Sequence, residues 1–206
     1  MKKPLIALLS LAIAGAAAPA FAQSKGDFTV GIGVHQVNPD SDNGKIINNT
    51  VAVDVDSDVK PTVTFEYFLA DNLGLEIIAA LPFKHEIALQ GMGKVAETKQ
   101  LPPTVTLQYH FNSKGKVSPF LGAGVNYTTF FSEDTKGALA GADVKLGNSW
   151  GLAAHAGLDF NISEKAAIRI DARYIDIDTD VKLNGTKIGT ANIDPLVYGA
   201  AYVLKF

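Results

Sequence analysis

The sequence contains no cysteine, so neither disulfide bridges nor thiolate-bound metals can support its fold. Beyond residue 22 it also lacks any run of about 18 apolar residues, the length that a membrane-spanning helix requires. An excess of basic residues is missing too, since 18 Lys and Arg accompany 21 Asp and Glu and the formal charge is −3. This balance excludes a strongly basic surface for nucleic acid. Phosphate-binding and dinucleotide-binding motifs are absent, so no cofactor is expected.

The first 22 residues have the features of a cleaved secretory signal peptide. Lys2 and Lys3 precede an apolar run from Leu5 to Ala18, and Ala20-Phe21-Ala22 is a small-x-small cleavage pattern. A membrane anchor is the alternative, but the run is shorter than the roughly 20 residues that a spanning helix needs. We therefore expect one mature domain over residues 23–206, whose loss of two lysines changes the formal charge to −5.

Eight stretches of the mature chain alternate apolar residues with polar or small ones. Successive side chains of a strand point to opposite faces, so each stretch suits a strand with one face toward lipid and the other toward an interior. A mean hydropathy of +0.14 without a long apolar run fits apolar residues that are spread along strands. The stretches are 28–37, 62–69, 73–83, 103–111, 119–131, 150–160, 167–174 and 197–206.

The connections between these stretches alternate in length. They are short after the second, fourth and sixth stretches, and long and polar after the others. Outer-membrane barrels have short periplasmic turns and longer outer loops. The pattern therefore predicts an all-β fold, an eight-stranded antiparallel transmembrane β-barrel of up-and-down topology, in the bacterial outer membrane with both termini periplasmic. A soluble barrel of the lipocalin kind is the alternative, but its outward residues would be polar.

The last stretch ends the chain on an aromatic residue in the lipid-facing phase. It is expected to pair with the first stretch, because an open strand edge in hydrocarbon would leave backbone groups without partners. Tyr202, Leu204 and Phe206 share that phase, and we predict that they form the signal through which the barrel-assembly machinery receives the chain.

Several motifs of the mature chain resemble the OmpW family of outer-membrane proteins. They are LPPTVTLQYHF (101–111), PFLGAGVNYTTFF (119–131), SWGLA (149–153), RYIDIDTD (173–180) and IDPLVYG (193–199), and PFKHEI (82–87) is similar as well. The resemblance spans essentially the whole mature chain in the right order. It implies a narrow, largely apolar channel for the passage of small hydrophobic molecules. Outer-membrane lipid and small hydrophobic solutes are then the expected partners.

The inward residues divide by depth into a charged part and an apolar part. An eight-stranded barrel has room inside only for side chains or one small ligand, which excludes a wide pore. Charges in so tight an interior must be paired. We therefore predict a polar plug in the periplasmic half, formed by Glu66, Glu76, His110, Asp159, Arg169, Asp171 and Lys205. The outer half is predicted to be lined by Ile78, Ala80, Pro82, Phe130, Trp150, Ala153, Val197 and Ala201.

A closed floor below an apolar lumen would force a hydrophobic solute to leave sideways into the membrane. Pro82 lies within the third stretch and lacks the N–H that a strand ladder needs, so it is predicted to loosen a side opening there. Gly122, Gly124, Gly151 and Gly199 would leave space in the upper lumen. The alternative is that these glycines only relieve crowding in a filled barrel.

No metal site is predicted. Asp54, Asp56 and Asp58, like Asp176, Asp178 and Asp180, have an alternating spacing, but the glycine and glutamate of a calcium-binding EF-hand loop are absent, which favours solvated hairpins. The four histidines, at positions 35, 85, 110 and 155, are scattered over different stretches.

Two other classes of function are alternatives to transport. A lipid-modifying enzyme would need a nucleophile close to a base, whereas the serines lie in predicted loops or turns without a histidine opposite them. The chain is therefore not expected to be an enzyme. A structural barrel whose long loops bind a partner is the stronger alternative.

Overall fold

A computed structural model describes residues 23–206, so the predicted signal peptide lies outside the described residues. No helix in this range is long and apolar enough to cross a membrane. A short 3-10 helix covers Gly137–Leu139. The strands are β1 (Phe28–Asn38), β2 (Lys45–Ile46), β3 (Val51–Val55), β4 (Asp58–Ala70), β5 (Leu73–Ala80), β6 (Phe83–Leu89), β7 (Gly93–Leu101), β8 (Thr104–His110), β9 (Val117–Thr135), β10 (Val144–Leu146), β11 (Ser149–Ser163), β12 (Ala166–Ile175), β13 (Asp178–Leu183), β14 (Thr186–Asn192) and β15 (Leu196–Lys205).

Eight of these strands close into an antiparallel barrel. Their order around the wall is β1, β4, β5, β8, β9, β11, β12 and β15. The last strand completes the barrel by pairing with β1, from Thr29 opposite Lys205 to Asn38 opposite Leu196. Because this closure leaves no open edge, each strand of the barrel can satisfy its backbone groups within the wall. The predicted eight-stranded fold is confirmed.

Alternation along each strand separates an apolar exterior from a more polar interior. On β4, for example, Val63 and Phe65 are exposed, whereas Thr64 and Glu66 between and beside them are buried inside the barrel. This arrangement follows from the period of two along a strand. A closed wall with apolar residues outside is what a lipid environment requires.

The two ends of the barrel differ. Short turns join β4 to β5, β8 to β9 and β11 to β12 at one end. The chain's residues 23 and 206 lie at this same end, since Gln23 O accepts a hydrogen bond from Asn72 N in the first turn and Phe206 pairs with Phe28. We call it the turn end and the opposite end the loop end.

The long connections at the loop end are not irregular loops, as the sequence suggested, but further strands. Strands β2, β3, β6, β7, β10, β13 and β14 extend the wall beyond the barrel. Their apolar residues, including Val53, Leu89 and Val181, form a buried cluster at the loop end. Packing of these side chains offsets the loss of conformational freedom in segments whose overall composition is polar.

The wall is interrupted on one side, where the sequence predicted a continuous third strand from 73 to 83. The chain leaves strand geometry between β5 and β6, and again between β7 and β8 beside it. The ladder from the turn end stops at Ile78 opposite Thr104, and the ladder at the loop end resumes at Phe83 opposite Gln100.

Prolines occupy this interruption. Pro82 lies on one side of it, and Pro102 and Pro103 lie on the other. None of the three has a backbone N–H, so none can donate to a ladder between the two strands. We call residues 79–82 and 102–103 the wall gap.

The glycines of the upper lumen are explained by close approach of neighbouring strands. A Cβ atom at Gly124 would collide with the carbonyl oxygen of Val105, and one at Gly199 with the carbonyl oxygen of Val34. This favours the interpretation that these glycines relieve crowding. They do not by themselves open the lumen.

Candidate functional site

Paired charges fill the barrel toward the turn end, with Arg169 at their centre. Its Nε and Nη2 donate to the two oxygens of Asp159, at 2.7 and 3.0 Å, and its Nη1 donates to Oε2 of Glu76 at 2.6 Å. The same guanidinium reaches Glu66 at 3.4 Å. Arg173 donates to the other oxygen of Glu76 at 2.6 Å. All five side chains are buried, so their charges interact with one another rather than with water.

Histidines extend this network around the interior. His35 and His155 each place Nε2 3.0 Å from an oxygen of Asp171, one on either side of the carboxylate. His110 places Nε2 2.8 Å from Oε1 of Glu66. Four carboxylates thus meet two guanidinium groups and three imidazoles. We call this set the charged floor; its members are His35, Glu66, Glu76, His110, Asp159, Arg169, Asp171, His155 and Arg173.

Two aromatic rings fill the spaces that the charged floor leaves. The guanidinium carbon of Arg169 lies 4.5 Å from the centroid of the Phe120 ring. His110 packs between the two rings, 5.1 Å from Phe120 and 5.5 Å from Phe68. Both phenylalanines are almost fully buried, so the interior at this depth is occupied by side chains.

Six of the seven residues predicted for the plug lie in the charged floor. Lys205 does not, because its side chain lies at the rim of the turn end, where Nζ is 3.5 Å from Asp27. A lysine one residue from the chain end can extend its long side chain toward water. The prediction omitted His35, His155 and Arg173, although Arg173 shares the inward phase of Arg169 and Asp171 and could have been identified from it.

An apolar cluster lies above the charged floor. Phe130, Ala153 and Val197, all predicted to line the lumen, belong to it, and Ala80 packs against it. The other members are Val37, Phe83, Ile175, Ile177 and Ile193. These bulky side chains fill much of the section that the sequence suggested would be spacious.

A small cavity lies between the apolar cluster and the charged floor. Arg173 and Thr62 contribute polar walls, and the predicted lining residue Ile78 is buried in its apolar wall. Ala79, Ala80 and Pro102 also line it, so the cavity reaches the wall gap. We call it the lower cavity.

Three residues that were predicted to line the outer half of the lumen lie elsewhere in the structure. Trp150 is on the outside of the barrel, 74% exposed, with its ring 4.7 Å from that of Tyr127. It follows the buried Ser149 and therefore falls in the outward phase of β11, where an aromatic residue suits the membrane boundary. Ala201 lies opposite Arg169, at the depth of the charged floor. Pro82 is part of the wall gap rather than of the lumen surface.

A larger pocket at the loop end was not predicted. It is lined mainly by apolar side chains of the extension strands, among them Ile46, Val53, Leu89 and Val181. We call it the upper chamber. Phe130, Leu146 and Ile193 line it and also belong to, or pack against, the apolar cluster below. The two apolar regions therefore adjoin, and the apolar cluster lies between the upper chamber and the lower cavity.

Ion pairs hold the outer surface of the extension strands. Lys136 donates to Glu86 at 2.6 Å and lies 3.6 Å from Glu97, and Lys94 also donates to Glu86. Hydrogen bonds from the two lysines lower the pKa of the Glu86 carboxyl to about 2. The Glu86 carboxylate is therefore ionised at neutral pH, and these ion pairs keep the surface hydrophilic.

Aspartates of each acidic run, 54–58 and 176–180, have separate partners in the structure. Asp56 and Asp58 accept hydrogen bonds from the backbone of Glu86 and Lys84, which ties the end of the β3–β4 connection and the start of β4 to β6. Asp180 pairs with Lys187 at 2.6 Å. Asp176 and Asp178 instead lie with Asp194, and ligand oxygens of the three are within 4.8 Å of one another.

The sequence matches a family model over almost all of the described chain. The model is that of the OmpW family, and the match covers residues 24–206. The chain belongs to the OmpW family. Outer membrane protein W of Vibrio cholerae is 36% identical over 218 residues, which cover all of both chains.

Solved structures of similar outer-membrane proteins have the same fold. The crystal structure of the outer membrane protein OprG from Pseudomonas aeruginosa gives a TM-score of 0.79 at 35% identity, covering 91% of this chain and 99% of that one. The solution structure of outer membrane protein W of Escherichia coli gives 0.66 at 33% identity, covering 89% and 99%. A further relative, the dibenzothiophene metabolism operon protein PahQ of Pseudomonas aeruginosa, is 29% identical over 70% of each chain. The β-barrel fold and the similarity to named outer-membrane proteins together show that this chain is an outer-membrane protein.

Proposed function

We propose that this OmpW-family barrel takes up small hydrophobic molecules at its loop end and releases them sideways into the membrane. The observation that carries the proposal is the continuous series of apolar side chains from the upper chamber to the wall gap, directly above the charged floor. Residues 23 and 206 lie at the turn end, which faces the periplasm in this proposal, and the upper chamber faces outward.

The charged floor supports a side exit over an axial one. A hydrophobic molecule that moved toward the turn end would have to separate buried ion pairs such as those of Arg169. Separating a buried pair leaves uncompensated charge in a poorly solvated interior, which is strongly unfavourable. The apolar molecule offers no compensating hydrogen bond, so the path ends at the lower cavity.

The wall gap supplies the exit in this proposal. No pairing joins the two strands between Ile78 and Phe83, and the lower cavity touches the gap through Ala79, Ala80 and Pro102. Opening the wall here therefore breaks no ladder hydrogen bonds between those strands. The hydrocarbon outside is also a favourable destination for an apolar solute. The name of the relative PahQ, which refers to dibenzothiophene metabolism, is consistent with a hydrophobic aromatic solute.

Restoring the ladder at the wall gap tests the exit. In the triple variant Pro82→Val, Pro102→Val and Pro103→Val, new N–H groups can continue the pairing across the gap. Uptake of radiolabelled naphthalene by cells carrying this variant is expected to fall by about tenfold, because a closed wall removes the exit. Pro119→Val, an outward-facing proline within β9, is the matched control and should leave uptake unchanged. Full uptake through a folded triple variant would refute the side exit.

The C-terminal strand has a proposed second role in assembly. Tyr202 and Phe206 are exposed on the outer face, where the barrel-assembly machinery would meet them, and Phe206 stacks on Phe28 at 5.2 Å. We expect Phe206→Ala to lower the amount of barrel inserted in cells several-fold. Spontaneous refolding of the purified chain into lipid should change little, since one exposed aromatic pair contributes about 0.5–1.5 kcal/mol. Equal losses in cells and in purified lipid would show that the residue acts only through stability.

A further inference from the structure

His85 and Gln100 belong to the wall of the upper chamber, whose accessible inner surface is apolar. Nδ1 of His85 lies 2.6 Å from the carbonyl oxygen of Asp56, and Nε2 lies 3.1 Å from the side-chain nitrogen of Gln100. A carbonyl oxygen can only accept, so the proton of the ring is on Nδ1. Burial at the loop end lowers the pKa of His85, so its imidazole is neutral at pH 7. Nε2 then accepts the hydrogen bond, and Gln100 must donate it.

This chain of hydrogen bonds fixes which way the amide of Gln100 faces. With its NH₂ group committed to His85, the remaining Oε1 is an acceptor. Oε1 is buried and has no hydrogen-bond partner within residues 23–206, although the whole residue is 0% exposed. Most buried polar atoms in proteins have a partner, so an unpaired one beside a cavity points to a ligand.

The other polar side chains of the chamber wall are already engaged. Thr179 donates its hydroxyl to the carbonyl oxygen of Gly147 at 2.6 Å. The hydroxyl of Thr98 lies 3.4 Å from the carbonyl oxygen of Lys99. Apart from these groups the lining is Ile, Val, Leu, Ala and Phe. The chamber is therefore an apolar site with one unfilled acceptor buried in its wall.

We infer that the upper chamber selects hydrophobic molecules that carry one hydrogen-bond donor, such as phenols, aliphatic alcohols or heteroaromatic N–H compounds, with Oε1 of Gln100 as the acceptor. The inference rests on the proposed function, since the solute must enter the chamber. A pocket that is apolar except for one well-placed polar group orients its ligand through that group. A molecule without the donor would leave the acceptor unpaired and would bind more weakly.

A matched pair of probes tests this inference on the mature protein in lipid nanodiscs. 2-Naphthol and 2-methoxynaphthalene share a ring system and an oxygen acceptor, but only the first has a donor. Dissociation constants are measured by equilibrium dialysis, with the partitioning into empty nanodiscs subtracted. 2-Naphthol is expected to bind about tenfold more tightly, a difference of about 1.4 kcal/mol.

Variants assign the preference to Gln100. Gln100→Met alone would expose Nε2 of His85 as a substitute acceptor, so the decisive variant is Gln100→Met combined with His85→Phe. It should bind the two probes with similar affinity. Ile188→Ala, which alters an apolar residue of the same wall, is the control and should keep the preference.

The outcomes separate this inference from the proposed function. Equal binding of both probes to the wild-type protein would overturn the inference and leave uptake of hydrophobic molecules standing. Binding of neither probe would overturn both. A preference that survives in the folded double variant would contradict the role of Gln100. If the double variant fails to fold, the comparison of the two probes on the wild-type protein decides for or against the inference by itself.

Discussion

Arg169→Met is expected to lower the free energy of unfolding by about 3–5 kcal/mol, the range for breaking a buried ion pair by removing one partner. The guanidinium lies between Asp159 and Glu76 and reaches Glu66. Methionine keeps most of the volume but leaves these carboxylates without their shared cation. The expected loss therefore comes from unpaired charge rather than from a cavity.

Urea titration of the protein in lipid vesicles, followed by the fluorescence of its single tryptophan, Trp150, measures this loss. Lys205→Met is the matched control, because Lys205 pairs with Asp27 at the exposed rim. Such a pair contributes about 0–1 kcal/mol. If Arg169→Met lowered the free energy of unfolding no more than Lys205→Met, the buried ion pairs of the charged floor would not stabilise the barrel as expected.

Ala80→Trp is expected to abolish uptake of naphthalene. Ala80 packs against the apolar cluster and lines the lower cavity beside the wall gap. A tryptophan side chain there would fill most of the space between the path and the proposed exit, and a packed interior cannot expand to accommodate it without strain. Uptake by cells should fall to the level of cells that lack the protein.

Ala154→Trp is the control for this substitution. Ala154 is exposed on the outside of β11, so the same change in residue type faces lipid instead of the cavity. It should leave uptake at the wild-type rate. Normal uptake in folded Ala80→Trp would mean that solutes do not pass the lower cavity.

The barrel could be predicted from the sequence because a period of two fixes which side chains share a face. That rule identified the pairing of the first and last strands and six charged residues of the floor, including Glu66 and Arg169. It should also have placed Trp150 outside, since residue 150 shares its phase with Leu152. The error arose from assigning an aromatic residue near the end of a strand to the mouth of the lumen.

The functional pockets depend on interactions that alternation does not encode. The wall gap needs prolines 82, 102 and 103 to become neighbours, although about 20 residues separate them in the chain, and only the pairing of β6 with β7 brings them together. The upper chamber needs several extension strands to pack against one another. Gln100 became a candidate binding residue only once His85 and Asp56 had fixed the orientation of its amide.

Photoaffinity labelling tests the path most directly. A small naphthalene derivative carrying a diazirine would be added to cells, activated by light, and its attachment sites located by mass spectrometry. The account predicts labels on Leu89 or Val95 in the upper chamber and on Ala80 or Pro102 at the wall gap. Labels on Phe68 or Ser113, which are buried toward the turn end, would contradict it, because the solute would then have crossed the charged floor.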